Sequence, residues 1–203
     1  SLDLIEGMFA FAYYNKKVNK IFLARDRFGE KPLYYYKDEN IFAFSSEIYP
    51  LTQIEGFDKK LNENSILNFL KYSYIAAPYS IYEKIFKVEA GSFLEIDINN
   101  FYSGLEYIKV HRWTQLFEIV KSSKKNIIKN FNKAKYELEE KLSDSVKKQM
   151  ISDVPIGSFL SGGIDSSLIT ALMQKHSNKK IETFSIKFKN SEYDESGYAK
   201  KVS

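Results

Sequence analysis

The stretch Asp153–Met173, DVPIGSFLSGGIDSSLITALM, constrains the fold more than any other part of the chain. Ile156, Phe159 and Leu160 make Ile156–Leu160 a short apolar run, which predicts a buried strand leading into a turn. Ser161, Gly162 and Gly163 follow, and two adjacent glycines let the backbone take positive φ and approach a ligand with no Cβ in the way. Asp165, Ser166 and Ser167 suit an N-cap and first turn, and Leu168, Ile169, Leu172 and Met173 then form one apolar helical face.

Strand, glycine turn and helix N-terminus together favour an anion. The first amides of a helix have no partner inside it, and the macrodipole is positive there. Ser161, Ser166 and Ser167 add hydroxyl donors. Asp165 is the exception, because a carboxylate repels a bare phosphate unless it holds a cation such as Mg2+ that bridges to phosphate oxygens. Gly-Gly by itself is more often an ordinary strand-to-helix connection, so spacing leaves both readings open.

SGGIDSS at Ser161–Ser167 resembles the SGGxDS pyrophosphate loop of the N-type ATP pyrophosphatases. No Lys follows the glycines, so it is not a Walker loop. The longer string SDVPIGSFLSGGIDSS from Ser152 resembles the glutamine-dependent asparagine synthetases. That resemblance implies ATP and Mg2+ as cofactors. It places Ser161, Gly162, Gly163, Asp165, Ser166 and Ser167 around the pyrophosphate, Asp165 on the metal, and Leu160 and Ile186 at the base and ribose.

A length of 203 residues leaves room for one large or two small domains, and 44% hydrophobic residues suffice for real cores. Lys+Arg 30 and Asp+Glu 26 are mixed along the chain, so no nucleic-acid partner is predicted. The absence of Cys excludes disulfides and thiolate catalysis in this chain. Without a membrane-length apolar run or a basic-then-apolar leader, the expectation is a soluble, cytoplasmic protein with no membrane partner. A chain that opens on Ser1 in mid-pattern and closes on Ser203 reads as an internal piece of a longer protein.

Met8–Tyr14 and Ile21–Ala24 predict a hairpin, and Leu33–Tyr36 with Ile41–Phe44 a second pair, as successive antiparallel strands. Ser45 or Ser46 caps a short helix from Glu47. Between the pairs, Arg25–Lys31 (RDRFGEK) reads as a solvated loop whose charges pair with one another, with no chemistry assigned. The series GMFAFAYYN, FLARDRFGEKPLYYY, FAFSSEIYPL resembles the later part of the class II glutamine amidotransferase domain, which implies part of a four-layered αββα sandwich. The family's N-terminal Cys nucleophile and its glutamine-holding residues lie upstream of that series. No catalytic residue is therefore carried over, and the chain as given is not expected to hydrolyse glutamine by that route.

Leu61–Tyr74 predicts a helix capped by Asn62 or Asn64 and ended by Pro78, and Phe93–Ile98 an alternating strand. Trp113 reads as packing. Residues 1–120 are thus assigned to the amidotransferase-like domain, the basic stretch 121–133 to an exposed linker, and 134–203 to the start of the synthetase domain. Leu138, Leu142, Val146 and Met150 stripe a helix over Ala134–Ile151. Ile181–Phe188 predicts the strand that completes a βαβ unit, hence a parallel sheet with ligand at its C-terminal edge. His176 suits a helix C-terminus, and with His111 it is too little for a metal cluster. Asp194 and Glu195 read as caps.

The fold class expected is α+β followed by α/β: part of an αββα sandwich, then the start of a parallel-sheet ATP pyrophosphatase domain. The function implied by resemblance is ATP-dependent amidation of aspartate through β-aspartyl-AMP, with glutamine as nitrogen donor and a possible homodimer as the assembly. Alternatives are an amidotransferase of a surface-polysaccharide pathway, a β-lactam synthetase-like ligase, a non-catalytic ATP-binding module, or a tRNA-modifying relative.

Overall fold

The structure, a computed structural model, describes residues 2–103, 106–188 and 194–203. It divides into two compact units, residues 1–125 and 126–203.

In the first unit, strands β1 (Ala10–Asn15), β2 (Lys20–Arg25), β6 (Ser92–Asp97) and β7 (Ile108–Arg112) form one antiparallel sheet in the order β1-β2-β6-β7. Strands β3 (Tyr34–Lys37), β4 (Phe42–Ser45) and β5 (Ile85–Lys87) form a second in the order β4-β3-β5. The two hairpins read from the sequence exist, but they enter different sheets rather than one meander. Leu23, Tyr35, Leu94 and Ile96, drawn from both sheets, are buried in one core with Leu33 and Val88. Consecutive strand residues point to opposite faces, so Tyr36 leaves that core and joins Ile85 and Leu51 in a second one. Leu51 comes from helix α1 (Ile48–Thr52), which covers the outer face of the β3 sheet.

Helix α2 (Glu63–Tyr72) is capped by Asn62, whose side chain accepts from the Ser65 amide. It ends at Ser73 in the left-handed region, before Pro78 is reached. Helix α3 (Leu116–Ser123) runs from the end of the segment assigned to the first domain into the stretch 121–133 expected to be linker, and a 3-10 turn at Lys124–Asn126 follows there. Exposed Leu116, Phe117, Ile119 and Val120 there sit at helical spacing among polar residues that masked it.

The loop between β2 and β3 overturns the expectation of a solvated charge cluster. Asp26 is 0% exposed. Its Oδ1 accepts from the amides of Phe28 (3.1 Å) and Glu30 (3.0 Å), and its Oδ2 from those of Phe9 (3.3 Å) and Lys31 (3.0 Å). Its carbonyl accepts from the amides of Gly29 (3.2 Å) and Gly91 (2.8 Å). Arg25 spends its guanidinium on three carbonyls, of Lys31 (2.8 Å), Val88 (2.7 Å) and Gly29 (2.6 Å). Trp113 does pack, stacking on Phe9 with centroids 6.0 Å apart, and its Nε1 donates to the Arg25 carbonyl. Arg27 lies 4.7 Å from its ring centroid, a cation–π contact.

In the second unit, helix α4 (Phe131–Gln149) starts three residues before its expected boundary because the Asn130 side chain accepts from the Lys133 amide. Val146 is buried against Leu172 and Met173 of helix α5 (Ile164–His176), with Leu142 and Met150 partly buried beside them. Leu138 on the same expected stripe stays exposed. Strands β8 (Gly157–Phe159) and β9 (Glu182–Phe184) pair in parallel, and helix α6 (Ser196–Val202) follows. Both strands are shorter than read, and their burial differs: Phe159 and Ile156 are exposed while Ser158 is buried. Among the described residues no helix is long and apolar enough to cross a membrane.

Burial pushes the Asp26 carboxyl up, and the amides of Lys31, Glu30, Phe28 and Phe9 outweigh it, leaving it below its ordinary value. Asp26→Ala orphans four buried donors at ~1–3 kcal/mol each and is expected to cost at least ~3 kcal/mol in denaturant unfolding, with Asp26→Asn losing less. A folded-state value below the unfolded one means that this stability is present above the ordinary carboxylate range and lost as pH falls below 3.8. Acid titration followed by Trp113 fluorescence should show that loss in the wild type and not in Asp26→Ala. At Gly91, φ is +63° and an added Cβ would meet the Thr114 Cγ2 at 2.4 Å. Gly91→Ala is expected to destabilise by ~2 kcal/mol or more in the same assay.

Candidate nucleotide-binding turn

Parallel pairing sets β8 beside β9 with Phe159 opposite Phe184. The pairing runs one step further, since the Leu160 amide donates to the Phe184 carbonyl at 2.8 Å and the Ser185 hydroxyl to the Leu160 carbonyl at 2.5 Å. Leu160 is buried, with both its backbone polar groups used. The chain then turns through Ser161, Gly162 and Gly163 into α5.

Gly162 has φ +84°, and a Cβ there would lie 2.5 Å from the Tyr198 backbone carbon. No other residue type satisfies both conditions. Gly163 is the N-cap of α5, in extended conformation and without a side-chain cap. Asp165, Ser166 and Ser167, read as N-cap and first-turn residues, occupy the first turn, and the cap falls to Gly163. A hydroxyl cap would use up the amides that a bare glycine cap leaves for other acceptors.

Ser166 closes the turn on itself. Its Oγ lies 2.9 Å from the Ser161 Oγ, accepts from the Ser161 amide at 3.3 Å and donates to the Gly163 carbonyl at 3.3 Å. The Ser161 Oγ in turn accepts from the Gly163 amide at 3.3 Å. The Ser167 hydroxyl oxygen is buried and has no hydrogen-bond partner among the described residues. Asp165 is exposed and likewise makes no side-chain hydrogen bond or ion pair among them.

A cleft of about 560 Å³ opens beside the turn, a size that suits a small organic ligand. Of the residues singled out in the sequence, Leu160, Ser161, Ser166 and Ile186 line it together. Gly162, Gly163, Asp165 and Ser167 belong to the same turn but do not line the cleft. Phe159, Phe184 and Phe188 make its walls largely apolar, and Ser185, Glu195 and Ser196 add polar groups.

Two residues beneath the turn, Ser158 and Thr170, were not found by sequence reasoning. Ser158 and Thr170 share a 3.0 Å hydroxyl contact, and Thr170 also donates to the Ser166 carbonyl at 2.8 Å, so they fasten α5 to β8 beneath the turn. The signal available was the polar Ser158 inside an apolar run. Asp194 does cap, with its Oδ1 accepting from the Ser196 amide, whereas Glu195 occupies the N-cap position of α6 with no side-chain cap. His176 ends α5 and places its Nε2 2.7 Å from the Ser143 Oγ of α4. Among the described residues no group of three or more His, Cys, Asp or Glu could hold a metal ion. A magnesium ion held by one carboxylate and by phosphate oxygens needs no such group, and unpartnered Asp165 is compatible with that arrangement.

Residues 1–107 match the family described as glutamine amidotransferase domain, and residues 137–203 the family described as asparagine synthase. A protein of Methanocaldococcus jannaschii provisionally named asparagine synthetase [glutamine-hydrolyzing] 2 is 39% identical, over 97% of this chain and 36% of its own length. Asparagine synthetase [glutamine-hydrolyzing] 1 of Bacillus subtilis is 32% identical over 98% of this chain and 29% of its own. Asparagine synthetase B of Escherichia coli is 29% identical over 89% and 26%. The chain thus spans between 26% and 36% of the length of these relatives. With the two family matches in tandem, on either side of the division between the two compact units, the chain belongs to the glutamine-hydrolysing asparagine synthetase family.

Proposed function

We propose that this chain is part of an enzyme that uses ATP to activate the side-chain carboxyl of aspartate as β-aspartyl-AMP, which ammonia derived from glutamine then converts to asparagine. The observation that carries this is the glycine turn. It leaves a parallel strand pair, enters α5 without a side-chain cap, and borders a cleft with an apolar wall and a hydroxyl-bearing rim.

In this reading the turn holds the pyrophosphate of ATP. Amides at the start of α5 and the hydroxyls of Ser161, Ser166 and Ser167 meet the phosphate oxygens, and donors fixed there favour the charge that builds on departing pyrophosphate. The buried, unpartnered Ser167 hydroxyl supports such a role, since a buried polar group without a partner is costly. Leu160 and Ile186 hold the nucleoside. Asp165 holds Mg2+, which supplies charge neutralisation between phosphates when bound. The parallel β8–β9 pair belongs to the start of an ATP pyrophosphatase domain that opens with α4, after the segment that follows α3. The sheet–sheet–helix layers of the first unit are part of an αββα amidotransferase sandwich over residues 1–120.

In the full-length protein, aspartate- and Mg2+-dependent release of pyrophosphate from ATP is the expected activity. Its absence with aspartate, or its appearance only with another carboxylic acid, would overturn the assignment. Asp165→Ala is expected to abolish Mg2+-dependent pyrophosphate release, and wild-type turnover in that variant would remove Asp165 from the metal. Gly162→Ala is expected to lower ATP affinity at least ~10-fold, or ~1.4 kcal/mol. Gly197→Ala, where an added Cβ meets nothing within 4 Å, is expected to bind ATP normally and to stabilise α6 by up to ~1 kcal/mol.

A further inference from the structure

The strand–turn–helix element does not hold its conformation alone. A Cβ placed on Gly162 would lie 2.5 Å from both the backbone carbon and the Cβ of Tyr198, and 2.6 Å from the Ala199 nitrogen. The backbone of α6 therefore rests directly on the turn, at the one residue whose φ is +84°. Ala199 is 3% exposed, so α6 has no room for a larger side chain at that position. The start of α6 is tied to the cleft as well. Asp194 Oδ1 accepts from the Ser196 amide at 3.1 Å. The Ser196 side chain and amide, followed by the Phe188 amide, hold that carboxyl below its ordinary range. Phe188, Glu195 and Ser196 all line the cleft shared by Ser161 and Ser166.

We propose that α6 is the brace of the pyrophosphate turn, and that Ala199 is a positioning residue acting through Gly162 rather than by touching a ligand. The inference rests on the nucleotide site assigned above. A tight contact between two backbones has no side chain that can swing aside, so a shift of α6 becomes a shift of the turn. Leu160, by contrast, lies on the strand side of the cleft, where the β8–β9 pairing holds its backbone, with Ile186 two residues beyond β9. Phosphate recognition should therefore respond to α6 while nucleoside recognition does not.

Calorimetric titration of the full-length protein with inorganic pyrophosphate and, separately, with AMP distinguishes the two. Ala199→Val is expected to weaken pyrophosphate binding ~10-fold or more and to leave AMP binding within about twofold, while Ala199→Gly stays near wild type for both. Equal loss of both ligands in Ala199→Val marks an ordinary packing defect and overturns the proposal, as does no loss of either. In the wild-type protein, pyrophosphate is expected to slow deuterium uptake at the amides of residues 196–202. Unchanged uptake at saturating pyrophosphate overturns the proposal without recourse to a variant. Wild-type protein that binds AMP but no pyrophosphate would instead overturn the assignment of the turn itself.

Discussion

The first unit depends on a single buried carboxylate. An ionised Asp removed from water is tolerated only if its oxygens are supplied with donors, and Asp26 collects four backbone amides from Phe9, Phe28, Glu30 and Lys31. Those amides belong to the entry of β1 and to the loop that hands β2 on to β3. The Asp26 carbonyl adds Gly91, just before β6, and the Gly91 carbonyl accepts from the amides of Trp113 and Thr114, just after β7. One residue thus ties the connections of the four-stranded sheet to the loop that leads into the other sheet. Arg25 adds the complementary half, with a cation donating to the Gly29 and Lys31 carbonyls of the same loop and to the Val88 carbonyl that follows β5.

The second unit meets a related problem with the polarity reversed. Its turn gathers donors rather than an anion, and under the proposed function the anion arrives with the ligand. The closing contacts are weak and local: a hydroxyl pair between Ser161 and Ser166, and backbone packing of α6 against Gly162. A turn built this way can exchange internal hydrogen bonds for bonds to phosphate oxygens without unfolding anything beneath it. Thr170 and Ser158 keep α5 fastened to β8 throughout.

How much was legible in the sequence differs between the two units. The turn was readable because Gly-Gly, the following Asp-Ser-Ser and the apolar face of α5 are local features. β1 through β4 and α2 were readable for the same reason, from alternation and an Asn cap. The Arg25–Asp26–Arg27 cluster was misread because neighbouring opposite charges look alike whether they face water or a buried set of amides, and the partners at Phe9, Val88 and Gly91 lie far off in sequence. Phe159 and Ile156 were expected inside because they are apolar, yet Ser158 took the inner position by bonding Thr170, which turns its neighbour Phe159 outward, and Ile156 lies just before β8 begins.

The sequence by itself determined the local elements, the family, and the residues that form the turn, because each depends on side chains within one helical turn or one strand of each other. Only the tertiary structure decided the division of the hairpins between two sheets, the burial of Asp26 and the contact of α6 with Gly162. Each of those joins groups separated by many residues, through apolar burial or through hydrogen bonds and backbone contacts that the fold alone brings together, which no local pattern of side chains records.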